Sequence, residues 1–279
     1  MKVTRRSFFA TAAAAALPAH GKSYSFDLGV TDWNLRLAGK LEAVALAARV
    51  GFSGVQVSLG RKPIGDKLPL DNDELIAQYK AEAKKHNTRL MGTCLDILHV
   101  NYLKNDKLGA KWVADSIPIT KKLGTKVILL PFFGKGALQT QAEMDYVGDV
   151  LREIAPEAEK QGVILGLEDT ISAEDNVRIA DRARSKAVLT YYDIGNSTRM
   201  GFDVVKEIRW LGKKRICQMH LKDNPGYLGE GKIDIPAVLK SMRDIGYDAC
   251  ALLETDSPSK NIEADMKRNL TYLLKVLHA

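Results

Sequence analysis

Residues 187–220 read AVLTYYDIGNSTRMGFDVVKEIRWLGKKRICQMH. A run rich in β-branched and aromatic residues ends at Asp193, and a second apolar run ends at His220. The segment between them predicts a helix over 201–212, which should stop at the Leu-Gly pair 211–212. The pattern therefore predicts a β-α-β unit in which both strands end on a polar side chain.

The same alternation recurs along the chain from Phe26 onward. Strands are expected at Phe26–Trp33, Gly54–Leu59, Thr88–Cys94, Lys126–Leu130, Val163–Glu168, Ala187–Asp193, Arg215–His220 and Ala249–Glu254. Helices are expected at about 38–50, 71–86, 106–123, 139–161, 174–184, 201–212, 234–245 and 260–277.

Strict alternation of strands and helices implies right-handed crossovers and a parallel sheet covered on both faces. Eight such units can close, so the sequence predicts an α/β fold consisting of a single (β/α)₈ barrel. A doubly wound open sheet is the alternative. That fold would usually carry a glycine-rich phosphate turn, and neither GxGxxG nor GxxxxGK[ST] occurs in the chain.

Composition fits one globular domain. A chain of 279 residues with 46% hydrophobic content can bury a single large core. The formal charge is +7, but lysines and arginines are interspersed with acidic residues on the expected helices, which argues against a nucleic-acid partner. The 3 cysteines have no close spacing, which argues against a disulfide framework or a cysteine-based zinc site.

The N-terminus carries a separate signal. Arg5 and Arg6 precede Ser7, a modest apolar run and the small residues that end at Ala19, an arrangement that resembles a twin-arginine export signal. We expect residues 1–22 to be a removed signal peptide, residues 23–279 to form the barrel, and the mature protein to be periplasmic or extracellular. The apolar run is too short to span a bilayer, so no permanent membrane anchor is expected.

The last four expected strands each end in a side chain that can bind a divalent ion. These side chains are Glu168, Asp193, His220 and Glu254. Function collects at the carboxyl ends of barrel strands, where neighbouring strands bring residues that are distant in sequence around one point. Three carboxylates and one imidazole suit Mn²⁺, Mg²⁺, Co²⁺ or Zn²⁺ better than a metal that prefers thiolates.

The order Glu, Asp, His, Glu, followed by His220-Leu-Lys-Asp223 and Leu228-Gly-Glu-Gly-Lys-Ile-Asp234, resembles the xylose isomerase-like sugar isomerase and epimerase superfamily. The resemblance runs from about Phe26 to the C-terminus. It implies one divalent metal, with Mn²⁺ favoured, held by those four side chains. It also implies that Glu168 and Glu254 are the catalytic residues that transfer the proton, and that the protein forms a homo-oligomer.

Five residues are expected to contact substrate: Trp33, His99, Glu174, Asn196 and Lys222. An indole face suits the apolar side of a sugar, although Trp33 could instead pack in the core. His99 could be a surface-loop residue, Glu174 a carboxylate that favours a helix N-terminus, and Lys222 a partner in a structural salt bridge. Many relatives have histidine where this chain has Asn196, and an asparagine cannot carry a proton at neutral pH.

The chemistry expected of this site is proton abstraction next to a carbonyl, with the ion stabilising an enediolate. We therefore predict a metal-dependent isomerase or epimerase of a sugar or keto-sugar. A lyase or dehydratase, for example on a 3-keto-glycoside or an inosose, is the close alternative, and a non-catalytic carbohydrate-binding barrel is the lesser one. The chain has 5 histidines, too few for the histidine-rich three-zinc site of the apurinic endonucleases, which share this fold.

Overall fold

The computed structural model describes residues 24–279, in which eight parallel strands close into a barrel in chain order. The predicted (β/α)₈ barrel is confirmed. The predicted signal peptide, residues 1–22, lies outside the described residues. Within the described part of the chain, no helix combines the length and apolar character needed to cross a bilayer.

The strands are β1 Asp27–Thr31, β2 Gly54–Ser58, β3 Arg89–Cys94, β4 Val127–Pro131, β5 Ile164–Glu168, β6 Val188–Asp193, β7 Ile216–Leu221 and β8 Cys250–Leu253. The helices are α1 Glu42–Val50, α2 Asp73–Lys85, α3 Lys107–Leu123, α4 Gln141–Gln161, α5 Ala173–Ala183, α6 Ile194–Arg199, α7 Val204–Arg215, α8 Ile235–Asp244 and α9 Ile262–Leu277. Short 3₁₀ turns cover Asp96–His99 and Gly134–Gly136.

Two elements near the site differ from the sequence prediction. Strand β1 ends at Thr31, so Trp33 lies in the turn that follows it rather than in the strand. Directly after β6 the chain forms the short helix α6, which the sequence did not predict. The Asp193 side chain caps this helix by accepting a hydrogen bond from the Asn196 N–H at 2.8 Å. Six residues are too few for a helical period to show in the sequence.

Apolar side chains form two layers. The larger cluster includes residues from the strands and the surrounding helices, such as Val55, Val57, Ile117 and Leu273. A smaller cluster joins Met91, Leu129, Tyr191, Cys217 and Leu252. These five residues come from different strands, and only side chains that point into the barrel could meet in this way. The barrel interior is therefore a packed core, which leaves the carboxyl ends of the strands for the site.

Strand register brings the polar strand ends together. Asp193 pairs with His220 between β6 and β7, and Leu221 pairs with Leu253 between β7 and β8. The Glu254 N–H then donates to the Leu221 carbonyl at 3.1 Å. The residues that end the last strands therefore lie at one level of the barrel.

The loop between β7 and α8 folds around one buried carboxylate. Asp223 accepts hydrogen bonds from the backbone N–H groups of Gly229 at 3.2 Å, Gly231 at 2.9 Å and Ile233 at 3.2 Å. A Cβ on Gly231 would lie 2.1 Å from Asp223 Oδ1, so the loop requires glycine there. Asp223 thus holds the loop instead of pointing to a ligand.

Candidate active site

Four side chains meet at the carboxyl end of the barrel: Glu168, Asp193, His220 and Glu254. Each offers one ligand atom, and these atoms all lie within 4.8 Å of one another. His220 Nδ1 is 2.9 Å from Glu168 Oε1 and 3.6 Å from both Asp193 Oδ2 and Glu254 Oε2. The first three residues are buried, and Glu254 is half-buried. The structure thus brings together the four residues predicted as a metal site.

The orientation of His220 is set by Gln56 in β2. The Gln56 amide donates through Nε2 to the Thr93 carbonyl at 3.3 Å, so its Oε1 faces His220 Nε2 at 3.1 Å. An amide oxygen only accepts hydrogen bonds, and His220 must therefore carry a proton on Nε2. Nδ1, the nitrogen that faces the carboxylates, is left free to act as a ligand.

The electrostatics of the cluster call for a positive charge at its centre. Burial alone would lower the pKa of His220, but Glu254 and Glu168 outweigh it and raise that pKa to about 10. Burial raises the pKa of Glu168 to about 7, although His220 partly opposes this shift. Burial would also raise the pKa of Asp193, but Lys222 and His220 hold it below its usual value. Without an added cation, a proton on His220 and the charge of Lys222 offset the carboxylates.

A divalent ion suits this donor set. Three carboxylates and one imidazole nitrogen are ligands that Mn²⁺, Mg²⁺, Co²⁺ and Zn²⁺ accept. An ion among them would replace the proton on His220 Nδ1 and offset the same negative charge. The hydrogen bond from His220 Nε2 to Gln56 is the outer contact that metal-bound histidines usually make.

Lys222 lies beside the cluster. Its Nζ is 2.7 Å from Asp193 Oδ2 and 2.5 Å from Glu254 Oε2. Burial would lower the pKa of Lys222, but these two carboxylates raise it above its usual value. Gly195 makes room for this lysine, because a Cβ there would lie 2.5 Å from Lys222 Cγ. Lys222 therefore supplies a fixed positive charge at the edge of the site.

A cavity of about 440 Å³ opens above the cluster. Besides Glu168, Glu254 and Lys222, its walls include three predicted substrate contacts: Trp33, His99 and Asn196. The Trp33 indole N–H donates to Glu254 Oε1 at 2.9 Å, so Trp33 also orients that glutamate. The His99 ring stacks on Phe133 with 6.3 Å between centroids. The Asn196 Nδ2 group is buried and has no hydrogen-bond partner among the described residues.

Residues 44–276 match the family described as the xylose isomerase-like TIM barrel. The chain belongs to this family. It is 26% identical over 241 residues to the 2-epi-5-epi-valiolone 7-phosphate 2-epimerase of an Actinoplanes species, an alignment that covers 82% of this chain and 87% of that protein.

Two solved structures have a similar fold. The apo 3-keto-D-glucoside 4-epimerase of E. coli superimposes with a TM-score of 0.72 at 17% identity, covering 90% of this chain and 99% of that one. The IolI protein with a bound zinc atom gives a TM-score of 0.71 at 18% identity, covering 90% and 98% of the two chains. These likenesses confirm the barrel fold.

Among the predicted substrate contacts, Glu174 is the one that the structure places elsewhere. It lies in the first turn of α5, on an exposed face, and lines a separate cavity of about 240 Å³ with Phe202 and Trp210. Its position does not support the predicted substrate contact. It fits the alternative of an acidic residue that favours the N-terminus of a helix.

Sequence reasoning missed several residues of this xylose isomerase-like site. Arg61, Phe133 and Arg199 line the cavity, and Gln56 orients His220. Gln56 did leave a signal, because it is a polar residue in the middle of the buried strand Gly54–Ser58. Arg61 lies in a bend after β2 and Arg199 ends the six-residue helix α6, and segments this short show no periodic pattern in the sequence.

Proposed function

We propose that this protein is a divalent-metal-dependent epimerase or isomerase of a keto-sugar. The observation that carries the proposal is the position of Glu168 and Glu254. Both belong to the four-residue cluster and both line the cavity above it. Two carboxylates that reach one substrate-sized cavity beside a cation site suit proton removal and return next to a carbonyl.

In this reaction the two glutamates would transfer the proton, and the residues around them would hold them in place and bind the substrate. One glutamate takes the proton from the carbon next to the carbonyl, and the other returns a proton to the opposite face or to the neighbouring carbon. Trp33 and Lys222 hold Glu254 through its two oxygens, at 2.9 and 2.5 Å. Asn196 offers its buried amide N–H₂ to a substrate hydroxyl. When bound, the ion would polarise the carbonyl and stabilise the developing negative charge.

A lyase or dehydratase would use the same first step and then expel a β-substituent. A second cavity on the far side of Lys222 and Arg199 favours this second candidate, because a leaving group needs space beside the ring. The relatives that act on a valiolone phosphate and on a 3-keto-glucoside are epimerases. They support the first candidate.

The test incubates the purified protein, loaded with Mn²⁺, with ketoses and 3-keto-glucosides in deuterated water. We expect deuterium at one carbon of an intact product from an epimerase or isomerase, and a released aglycone or water from a lyase. Glu168→Gln and Glu254→Gln should each lower kcat by roughly 100-fold or more. Glu174→Gln is the matched control, because Glu174 lies outside this cavity.

Metal content must be measured in each variant, since both glutamates are also proposed ligands. A Glu254→Gln protein that keeps its ion and still turns over keto-sugars at the wild-type rate would contradict the proposal. Strong sugar binding without conversion by the metal-loaded wild type would instead support a binding protein.

We also propose that the mature protein acts outside the cytoplasm. The support is the Arg5-Arg6 pair ahead of the apolar run in the sequence. In the native host, the Arg5→Lys, Arg6→Lys double variant should accumulate in the cytoplasm, while the wild type is recovered from the periplasm or medium. Equal export of the two proteins would contradict this proposal.

A further inference from the structure

A second cavity adjoins the one above the metal cluster. Its volume is about 690 Å³, larger than the 440 Å³ of the first, and the two share Arg199 and Lys222 as lining residues. Its other walls come from helix α6 and from the loop after β7. The two cavities therefore meet at these two side chains.

The second cavity has a stable wall. Besides the three N–H groups held by Asp223, the Leu228 N–H donates to Asn269 Oδ1 at 3.0 Å. The Tyr227 hydroxyl donates to Asp265 Oδ1 at 2.9 Å, which ties the loop to α9. A loop that is fastened at this many points keeps its shape without a ligand, so the cavity is preformed.

The wall of this cavity offers a ligand positively charged groups but no free carboxylate. Its two carboxylates are already engaged, Asp223 by backbone N–H groups and Glu230 by Arg268. Lys232 and Arg199 line the cavity, and neither forms an ion pair with a described residue. Donors therefore outnumber free acceptors on the wall.

Thr198 provides the most direct sign of a missing partner. It lines the second cavity, and its hydroxyl oxygen is buried with no hydrogen-bond partner among residues 24–279. The buried Nδ2 of Asn196, two residues earlier on the same helix, is unpartnered as well and belongs to the first cavity. Buried polar groups are rarely left without a partner, so a polar ligand that reaches from one cavity to the other would satisfy both.

We propose that the substrate has two parts: a keto-sugar ring in the cavity above the cluster, joined by a glycosidic bond to a second, hydroxyl-bearing sugar ring in the adjoining cavity. Thr198, Arg199 and Lys232 contact the second ring. This inference rests on the proposed function and narrows its substrate class from keto-sugars to keto-glycosides. A free monosaccharide would leave the larger compartment and its donors unused.

The test compares two ligands on the Mn²⁺-loaded full chain: methyl 3-keto-glucoside, and a glucosyl-glucose disaccharide oxidised at C3 of its non-reducing ring. For each, kcat/KM and the dissociation constant are measured. We expect the disaccharide to be preferred by roughly 10-fold or more, since several hydrogen bonds of modest strength are added.

Lys232→Ala and Thr198→Val should each lower the ratio of disaccharide to methyl-glycoside kcat/KM by roughly 3- to 10-fold. Lys186→Ala is the control, because this exposed lysine precedes β6 at the opposite end of the barrel. Its ratio should equal that of the wild type.

Two results would overturn the inference, and they are distinguishable. If the methyl glycoside is processed as well as the disaccharide and both variants keep the wild-type ratio, the second-ring site is wrong while the proposed function stands. If neither compound is bound or converted by the metal-loaded protein, the keto-sugar function fails and this inference fails with it.

Discussion

Gln56 accepts a hydrogen bond from His220 Nε2 at 3.1 Å, across the barrel interior from β2 to β7. The same Gln56 oxygen also lies 3.1 Å from the Tyr191 hydroxyl. A residue that is remote from the metal ligands in sequence thus fixes which nitrogen of His220 can bind an ion.

Replacing this glutamine should weaken metal binding. Gln56→Met keeps the size of the side chain but removes the acceptor, so His220 loses the partner that holds its proton on Nε2. We expect the dissociation constant for Mn²⁺ or Zn²⁺ to rise about 10- to 100-fold, as measured by competition with a chromogenic chelator.

Gln218→Met is the matched control. Gln218 is another buried glutamine of the barrel interior, and its side chain donates to the Met91 carbonyl rather than to His220. Equal metal affinities of the two variants would show that Gln56 does not position the ligand.

Removing Lys222 should make the protein depend more strongly on its metal. Lys222→Met leaves Asp193 and Glu254 without their cation and should destabilise the metal-free protein by about 1–3 kcal/mol. A bound ion offsets the same charges, so the gain in Tm on adding Mn²⁺ should be larger in the variant than in the wild type.

Lys232→Met serves as the control for that experiment. It makes the same chemical change at a lysine with no ion pair among the described residues, and its metal-free Tm should match the wild type. If metal raises the Tm of Lys222→Met no more than that of wild type, the lysine does not compensate the cluster.

The buried Asp32 should make the stability of the fold depend on pH, independently of the metal cluster. Burial raises its pKa from 3.8 to about 7, although it accepts hydrogen bonds from the Ser58 and Gly39 N–H groups. The folded state therefore binds this proton more tightly than the unfolded state. Its stabilising effect is complete below pH 3.8 and is lost as the pH rises through 7.

Asp32→Asn should remove this dependence. Between pH 4.5 and 8, the free energy of unfolding of the wild type should fall relative to that of the variant by a few kcal/mol, since each pKa unit corresponds to about 1.4 kcal/mol. Urea unfolding at several pH values measures this difference in the free energy of unfolding. Asp66→Asn is the control, because Asp66 is exposed. Parallel curves for wild type and Asp32→Asn would contradict the shifted pKa.

The loop after β7 allows a steric test with a built-in comparison. Gly231→Ala would place its Cβ 2.1 Å from Asp223 Oδ1, whereas a Cβ at Gly226 would have no neighbour closer than 3.8 Å. We expect Gly231→Ala to lower the free energy of unfolding by about 1–3 kcal/mol and to raise KM for a keto-disaccharide. Gly226→Ala should leave both unchanged. Thermal unfolding measures the stability of each variant, and steady-state kinetics measures its KM. Equal stability and equal KM in the two variants would show that the loop is not held by Asp223.

The sequence predicted the barrel and the four-residue cluster because both depend on short, regular signals. An apolar strand that ends in a carboxylate or an imidazole is visible in the sequence, as at Glu168 and His220. Closure of the barrel then brings these strand ends together. Residues on irregular segments were harder to place. Glu174 lies six positions after Glu168, but the turn into α5 directs the second glutamate to an outer cavity.

The hydrogen bond from Trp33 to Glu254 joins the turn after the first strand to the end of the last one. The His220 anchor comes from β2, and the final carboxylate follows β8. All four ligands can therefore bind one ion only after the first and last strands of the barrel have come together. A fragment that ends before Glu254 lacks the fourth ligand, so binding of an ion by all four side chains requires that the chain be made through β8 and that the barrel be closed.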